Sequence, residues 1–172
     1  VWLVAQTVTL PDGSQQTALV PQVYVKLKPG DMGADGALLA ADRLQLKLAG
    51  DLTNQGQIAG RQLLTISADN LHNLGGKLQG QDIALQARTD IHNLGGEIRA
   101  GSSLQLAAGR DITVSSTTHS QQYGSGDNRL QQTSVERVAG LYVDGGAGVL
   151  LASAGRDLTL AGAQLANTGS GA

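Results

Sequence analysis

The phrase Asn70-Leu71-His72-Asn73-Leu74-Gly75-Gly76-Lys77-Leu78 returns 20 residues later as Asp90-Ile91-His92-Asn93-Leu94-Gly95-Gly96-Glu97-Ile98. A looser copy, Asp51-Leu52-Thr53-Asn54-Gln55-Gly56-Gln57-Ile58, precedes both. A repeat this short cannot bury its own apolar face, so it must stack on its neighbours. The apolar anchors recur with the phrase. Leu39, Ile58, Leu78 and Ile98 form one column, and Leu44, Leu63, Ile83 and Leu104 a second. Leu52, Leu71, Ile91 and Ile112 form a third, eight residues after the second. Three anchors per period predict three short strands per coil. Within strands the apolar residues alternate, as in Leu44-Gln45-Leu46-Lys47-Leu48 and Ile83-Ala84-Leu85-Gln86-Ala87, which puts one face in and one out. Around Leu63-Leu64-Thr65-Ile66 the inward face is ambiguous by one residue.

Helical solenoids have longer repeats of about 33–47 residues, and the L-x-x-L-x-L-x-x-N/C-x-L pattern of leucine-rich repeats is missing. Two glycines per turn also oppose a helix. The reading is an all-β chain: a right-handed parallel β-helix with coils of about 20 residues and three short strands each, plus protruding β-hairpins. With no Phe, one Trp and no Cys, the core must be aliphatic. The 24 glycines show no Gly-X-Y period, which excludes collagen. A net charge of −2 with 12 scattered basic residues argues against a nucleic-acid partner. No apolar run reaches the roughly 18 residues of a membrane span.

The regular coils are expected over residues 38–114 and resume over 141–166. Residues 1–37 read as a β-hairpin, with its turn at Pro11-Asp12-Gly13-Ser14, and a loop around Lys28-Pro29-Gly30-Asp31-Met32-Gly33 leading into the stack. Ala108-Gly109-Arg110-Asp111-Ile112 returns as Ala154-Gly155-Arg156-Asp157-Leu158 after 46 residues, more than two coils need. The excess is placed in a polar, hairpin-like bulge over residues 115–140, and residues 167–172 read as a flexible tail. Beginning at Val1 with no signal-like segment, the chain reads as an internal stretch of a larger protein.

The acidic residues most nearly clustered are Asp51, Asp90, Asp111 and Asp157, with Asn70 completing their column. A column marking every coil suits turn residues bonding their own backbone better than an acid–base pair acting at one place. His72 and His92 share a register and should stack about 4.8 Å apart, facing solvent. Thr53 and Thr113 fill the flanking positions, so no third ligand joins them and a solvated pair is expected, without a metal. Asn54, Asn73 and Asn93 also align, as a structural ladder bonding along the axis. No nucleophile elbow, phosphate loop or calcium motif occurs, so neither enzyme activity nor a cofactor is expected. A candidate interaction surface is the bulge around Tyr123, Arg129 and Arg137, where the core pattern lapses.

Val1-Trp2-Leu3-Val4, Thr7-Val8-Thr9-Leu10-Pro11-Asp12-Gly13 and Leu19-Val20-Pro21-Gln22-Val23-Tyr24-Val25 resemble filamentous haemagglutinin-type exoproteins. So do Asn73-Leu74-Gly75-Gly76, Ala108-Gly109-Arg110-Asp111-Ile112 and Arg137-Val138-Ala139-Gly140-Leu141-Tyr142-Val143, in the expected order along nearly the whole chain. The resemblance implies a haemagglutinin-repeat segment of a very large protein, exported by two-partner secretion through an outer-membrane transporter. It implies a filament on the surface of a Gram-negative bacterium, used in contact-dependent growth inhibition to present and deliver a toxin to neighbouring bacteria. An adhesin binding host-cell glycans or receptors is the alternative, and a β-helix carbohydrate-active enzyme a distant one. The partners so implied are the transporter and the surfaces of bacterial or host cells, with the segment itself monomeric.

Overall fold

The computed structural model describes residues 2–9, 15–22, 37–123 and 130–168. Two compact units are present, Val1–Asp31 and Met32–Ala172. In the first, β1 (Trp2–Thr9) and β2 (Gln15–Gln22) pair antiparallel from Trp2↔Gln22 to Thr9↔Gln15. The loop expected at residues 28–33 lies outside the described residues.

The second unit is a parallel β-solenoid of about 6 turns spaced about 20 residues apart. Its strands are β3 (Leu38–Lys47), β4 (Leu52–Asn54), β5 (Gln57–Ala68), β6 (Leu71–Leu74), β7 (Lys77–Ala87), β8 (Ile91–Leu94), β9 (Glu97–Ala108) and β10 (Ile112–Ser115). After an antiparallel pair, β11 (Thr117–Tyr123) and β12 (Leu130–Arg137), the stack resumes with β13 (Gly140–Val143), β14 (Val149–Ala154), β15 (Leu158–Ala161) and β16 (Gln164–Asn167). One sheet runs β4-β6-β8-β10-β15. The other runs β3-β5-β7-β9-β13-β16, with β14 also paired to β9. The long strands β3, β5, β7 and β9 each turn a corner and supply two sides of a coil. The last coil shows this directly, because β13 pairs with Glu97–Ala100 and the separate β14 with Ser103–Ala108 of the same strand. Each coil therefore has three sides.

The core is the set of inward columns. Ile58, Leu78 and Ile98 stack on the first side, Ile83 and Leu104 on the second, and Leu52, Leu71, Ile91 and Ile112 on the third, all at most 4% exposed. Burying each such side chain contributes about 1.5–3 kcal/mol, and all of them except Leu52, in the edge strand β4, lie between a coil on each side.

The second column needs a correction. Leu44 faces Leu64, and Leu64 faces Ile83, so Leu64 is the anchor at 0% exposure and Leu63 points outward at 38%. The constant spacing of eight fails in this coil because the corner carries a bulge. Gly60 pairs with Gly80 and Leu63 with Asp82, so residues 61 and 62 oppose residue 81 alone. An extra residue at a corner reverses which neighbour points inward without disturbing the coils on either side. Leu64→Gln is accordingly expected to cost about 3 kcal/mol or more, as a polar amide in a filled core. Leu63→Gln should stay within about 0.5 kcal/mol. Urea unfolding of the two variants checks the assignment.

Candidate interaction surface

Three rows of side chains run parallel to the stack axis. The innermost is asparagine. Asn54 Nδ2 donates to Asn73 Oδ1 at 2.8 Å, and Asn73 Nδ2 donates to Asn93 Oδ1 at 2.8 Å and to the Gly76 carbonyl at 3.0 Å. Asn93 Nδ2 donates to the carbonyls of Gly96, at 2.9 Å, and Gly140, at 3.3 Å. All three side chains are buried, between 0 and 3% exposed. The glycines after them allow the row to exist. Gly75 and Gly95 hold φ of +68° and +59°, which a side chain strains. A Cβ on Gly96 would lie 2.3 Å from Asn73 Nδ2 and 2.4 Å from Asn93 Oδ1.

The acidic column is also axial, not a set of self-contained turns. Each side chain accepts the backbone N–H of the next coil: Asn70 N to Asp51 Oδ1 at 3.1 Å, Asp90 N to Asn70 Oδ1 at 3.2 Å, Asp111 N to Asp90 Oδ1 at 3.2 Å and Asp157 N to Asp111 Oδ1 at 3.3 Å. Arginines follow the same direction. Arg110 grips Asp90 with two hydrogen bonds, Nε at 2.9 Å from Oδ1, and Arg156 grips Asp111 in the same way, also at 2.9 Å. The repeated Arg-Asp phrase was the signal for this, because each arginine stands one coil beyond the carboxylate it holds. Hydrogen bonds from Arg110 hold the Asp90 carboxyl below its ordinary value of 3.8, against burial, which pushes it up. A carboxyl lowered in the folded state contributes stability that is full above about pH 4 and is lost as pH falls through the lowered value. Wild type should therefore melt above Asp90→Asn from pH 7 down to about pH 4, with the gap closing below that.

His72 and His92 stack with ring centroids 5.2 Å apart and planes 5° from parallel. They are half-buried where solvent exposure was expected, since each ring lies against a neighbouring coil. Among the described residues no three His, Asp or Glu side chains converge as a metal set. An open trough of about 670 Å³ runs over Ala40, Ala59, Gly60 and Gly80, and its Asp42 and Arg61 are paired with each other.

The bulge leaves and rejoins the stack at one corner. Ser116 and Ala139 stand over Gly95 and Gly96, since Ser115 pairs with Leu94 and Gly140 with Glu97. Ser116 Oγ donates to the Gly162 carbonyl at 2.6 Å and accepts the Ala139 N–H at 3.0 Å. Residues 117–138 are thus an insertion between two otherwise adjacent coil positions. Its strands pair from Thr117↔Arg137 to Tyr123↔Leu130, which puts Tyr123 and Arg137 at opposite ends. Tyr123 is 53% exposed, and its hydroxyl donates to Gln121 Oε1. Arg137 turns back to the coils, where Nη1 donates to the Gly75 carbonyl at 3.0 Å and the stem lies over Gly95. It anchors the root. Sequence reasoning missed this because its partner is 62 residues away. Arg129 lies outside the described residues.

Coils, columns and axial ladders define a β-solenoid repeat protein. Residues 65–148 match the hemagglutinin repeat family. The chain is 36% identical over 127 residues to Toxin CdiA of Yersinia pestis, a match covering 71% of this chain and 4% of that protein. It thus spans a small part of that relative's length. No solved structure matches it. The repeat match and the identity together support a haemagglutinin-repeat region of a CdiA-type exoprotein. These similarities point to a structural, non-catalytic repeat segment of a secreted, cell-surface protein.

Proposed function

We propose that this segment is part of the shaft of a filament that presents and delivers a toxin to neighbouring bacteria in contact-dependent growth inhibition. The shaft stands on the outer membrane of a Gram-negative cell and is exported by a dedicated outer-membrane transporter. One observation carries the reading. The stretch similar to a protein named as a toxin consists of stacked coils whose side chains are spent on axial contacts. Such a stack transmits length and stiffness. Recognition by the segment falls to the inserted hairpin, at its Tyr123 end, since loops on rigid scaffolds carry binding.

Excising residues 117–138 joins Ser116 to Ala139, which already occupy neighbouring positions, so the melting temperature of the shortened chain should stay within a few degrees of wild type. The two forms then test function. Labelled wild type is expected to bind Gram-negative cells saturably and the excised form not to. Binding to epithelial cells alone would replace this reading by the host adhesin.

A further inference from the structure

We propose that the outer edge of β11 is a strand-pairing surface whose partner is the same edge of a second copy of this chain. Among the described residues, β11 and β12 form a sheet of two strands. Along such a pair, alternate backbone N–H and C=O groups point away from the partner strand and remain open to another one. Sheet edges are commonly blunted by lysine, proline, charge or cover. β11 reads Thr117-Thr118-His119-Ser120-Gln121-Gln122-Tyr123, with no Asp, Glu, Lys, Arg or Pro, and every residue from Thr118 to Tyr123 is exposed. Its one irregularity, a register shift between Thr117 and Thr118, lies at the root. β12 differs, because it carries Glu136 and the coil-bound Arg137.

The occupant follows from the charge and the alternation of this edge. Two β11 strands meeting antiparallel about a two-fold axis at Ser120 would place Ser120 opposite Ser120, His119 opposite Gln121, Thr118 opposite Gln122 and Thr117 opposite Tyr123. The residue paired with each has the same parity, so both copies keep His119, Gln121 and Tyr123 on one face. Every cross-strand pair can hydrogen-bond, and none sets Asp, Glu, Lys or Arg against its like. One of these side chains already bonds across strands within one chain, Ser120 Oγ lying 2.9 Å from Thr133 Oγ1 across the hairpin, while Gln121 Nε2 lies 3.3 Å from His119 Nε2 along the same strand. A second β11 would extend these polar rows from two strands to four in a contact that closes on itself. A charged partner strand would find no complement here. The sequence reading expects a monomeric segment; this edge argues for lateral pairing between shafts, and the inference goes beyond the delivery role without depending on it.

The full chain has no cysteine, so single cysteines report the contact cleanly. Ser120→Cys is expected to give a disulfide-linked dimer on mild oxidation, since directly opposed residues have Cβ atoms about 4.5–5.5 Å apart. Ser153→Cys, on the outward face of β14, should give far less. In sedimentation equilibrium the wild-type chain should associate reversibly to a dimer. Ser120→Lys should weaken association at least about tenfold by opposing two like charges, with the melting curve unchanged. A wild-type chain that stays monomeric up to about 1 mM overturns the proposal. So does a dimer that survives both Ser120→Lys and excision of residues 117–138, which would place the contact outside the hairpin.

Discussion

Asn73→Asp is expected to destabilise the coil stack by about 3–5 kcal/mol at neutral pH, the range for an uncompensated buried charge. Asn73 is fully buried, accepts from Asn54 and donates to both Asn93 Oδ1 and the Gly76 carbonyl. A carboxylate keeps the first bond and sets an oxygen against two other acceptors, at the present 2.8 and 3.0 Å. Asn73→Ala should cost less, about 1–3 kcal/mol, because it leaves partners unsatisfied without adding charge. Urea unfolding followed by circular dichroism measures both. If both lie within about 0.5 kcal/mol of wild type, the asparagine row does not support the stack.

Ile91→Ala should cost about 2–5 kcal/mol, the range for deleting most of a buried aliphatic side chain. Ile91 sits at 0% exposure between Leu71 and Ile112 of the adjoining coils. Leu158 occupies the same column in the last coil but is 48% exposed, with Ile112 on one side. Leu158→Ala should therefore cost about 1 kcal/mol or less in proportion to the smaller area it buries. The comparison isolates stacking, since the two positions share column and strand type. Equal losses would mean that burial in this chain does not come from coil-on-coil contact.

Much of the architecture is legible because the solenoid repeats its chemistry. Columns such as Leu52, Leu71, Ile91 and Ile112 can be aligned by counting, and the structure pairs them in that order. Counting fails where the backbone changes register without a change in residue type. Leu63 and Leu64 are chemically identical, and only the bulge at residues 61 and 62 decides between them. Spacing brings Asn54, Asn73 and Asn93 into one column, while the direction of their hydrogen bonds needs coordinates. The acidic column is similar: its period is visible, but its use of the next coil's N–H and arginine depends on the stacking direction. The interaction surface was the least legible part. The polar run marks the insertion, yet the division of labour between an exposed Tyr123 and an anchoring Arg137 depends on a hairpin register and a contact 62 residues away.

The central claim is that residues more than a hundred apart in sequence lie only a few strands apart along one axis. Thr53, His72, His92, Thr113 and Thr159 form one outward column through successive strand pairs. Spin labels on cysteines placed at Thr53 and Thr159 of the cysteine-free chain measure its length by electron–electron dipolar coupling. Four steps of about 4.8 Å predict a backbone separation of about 19 Å with a narrow distribution. A broad distribution, or a mean beyond about 30 Å, would contradict the stacked-coil account.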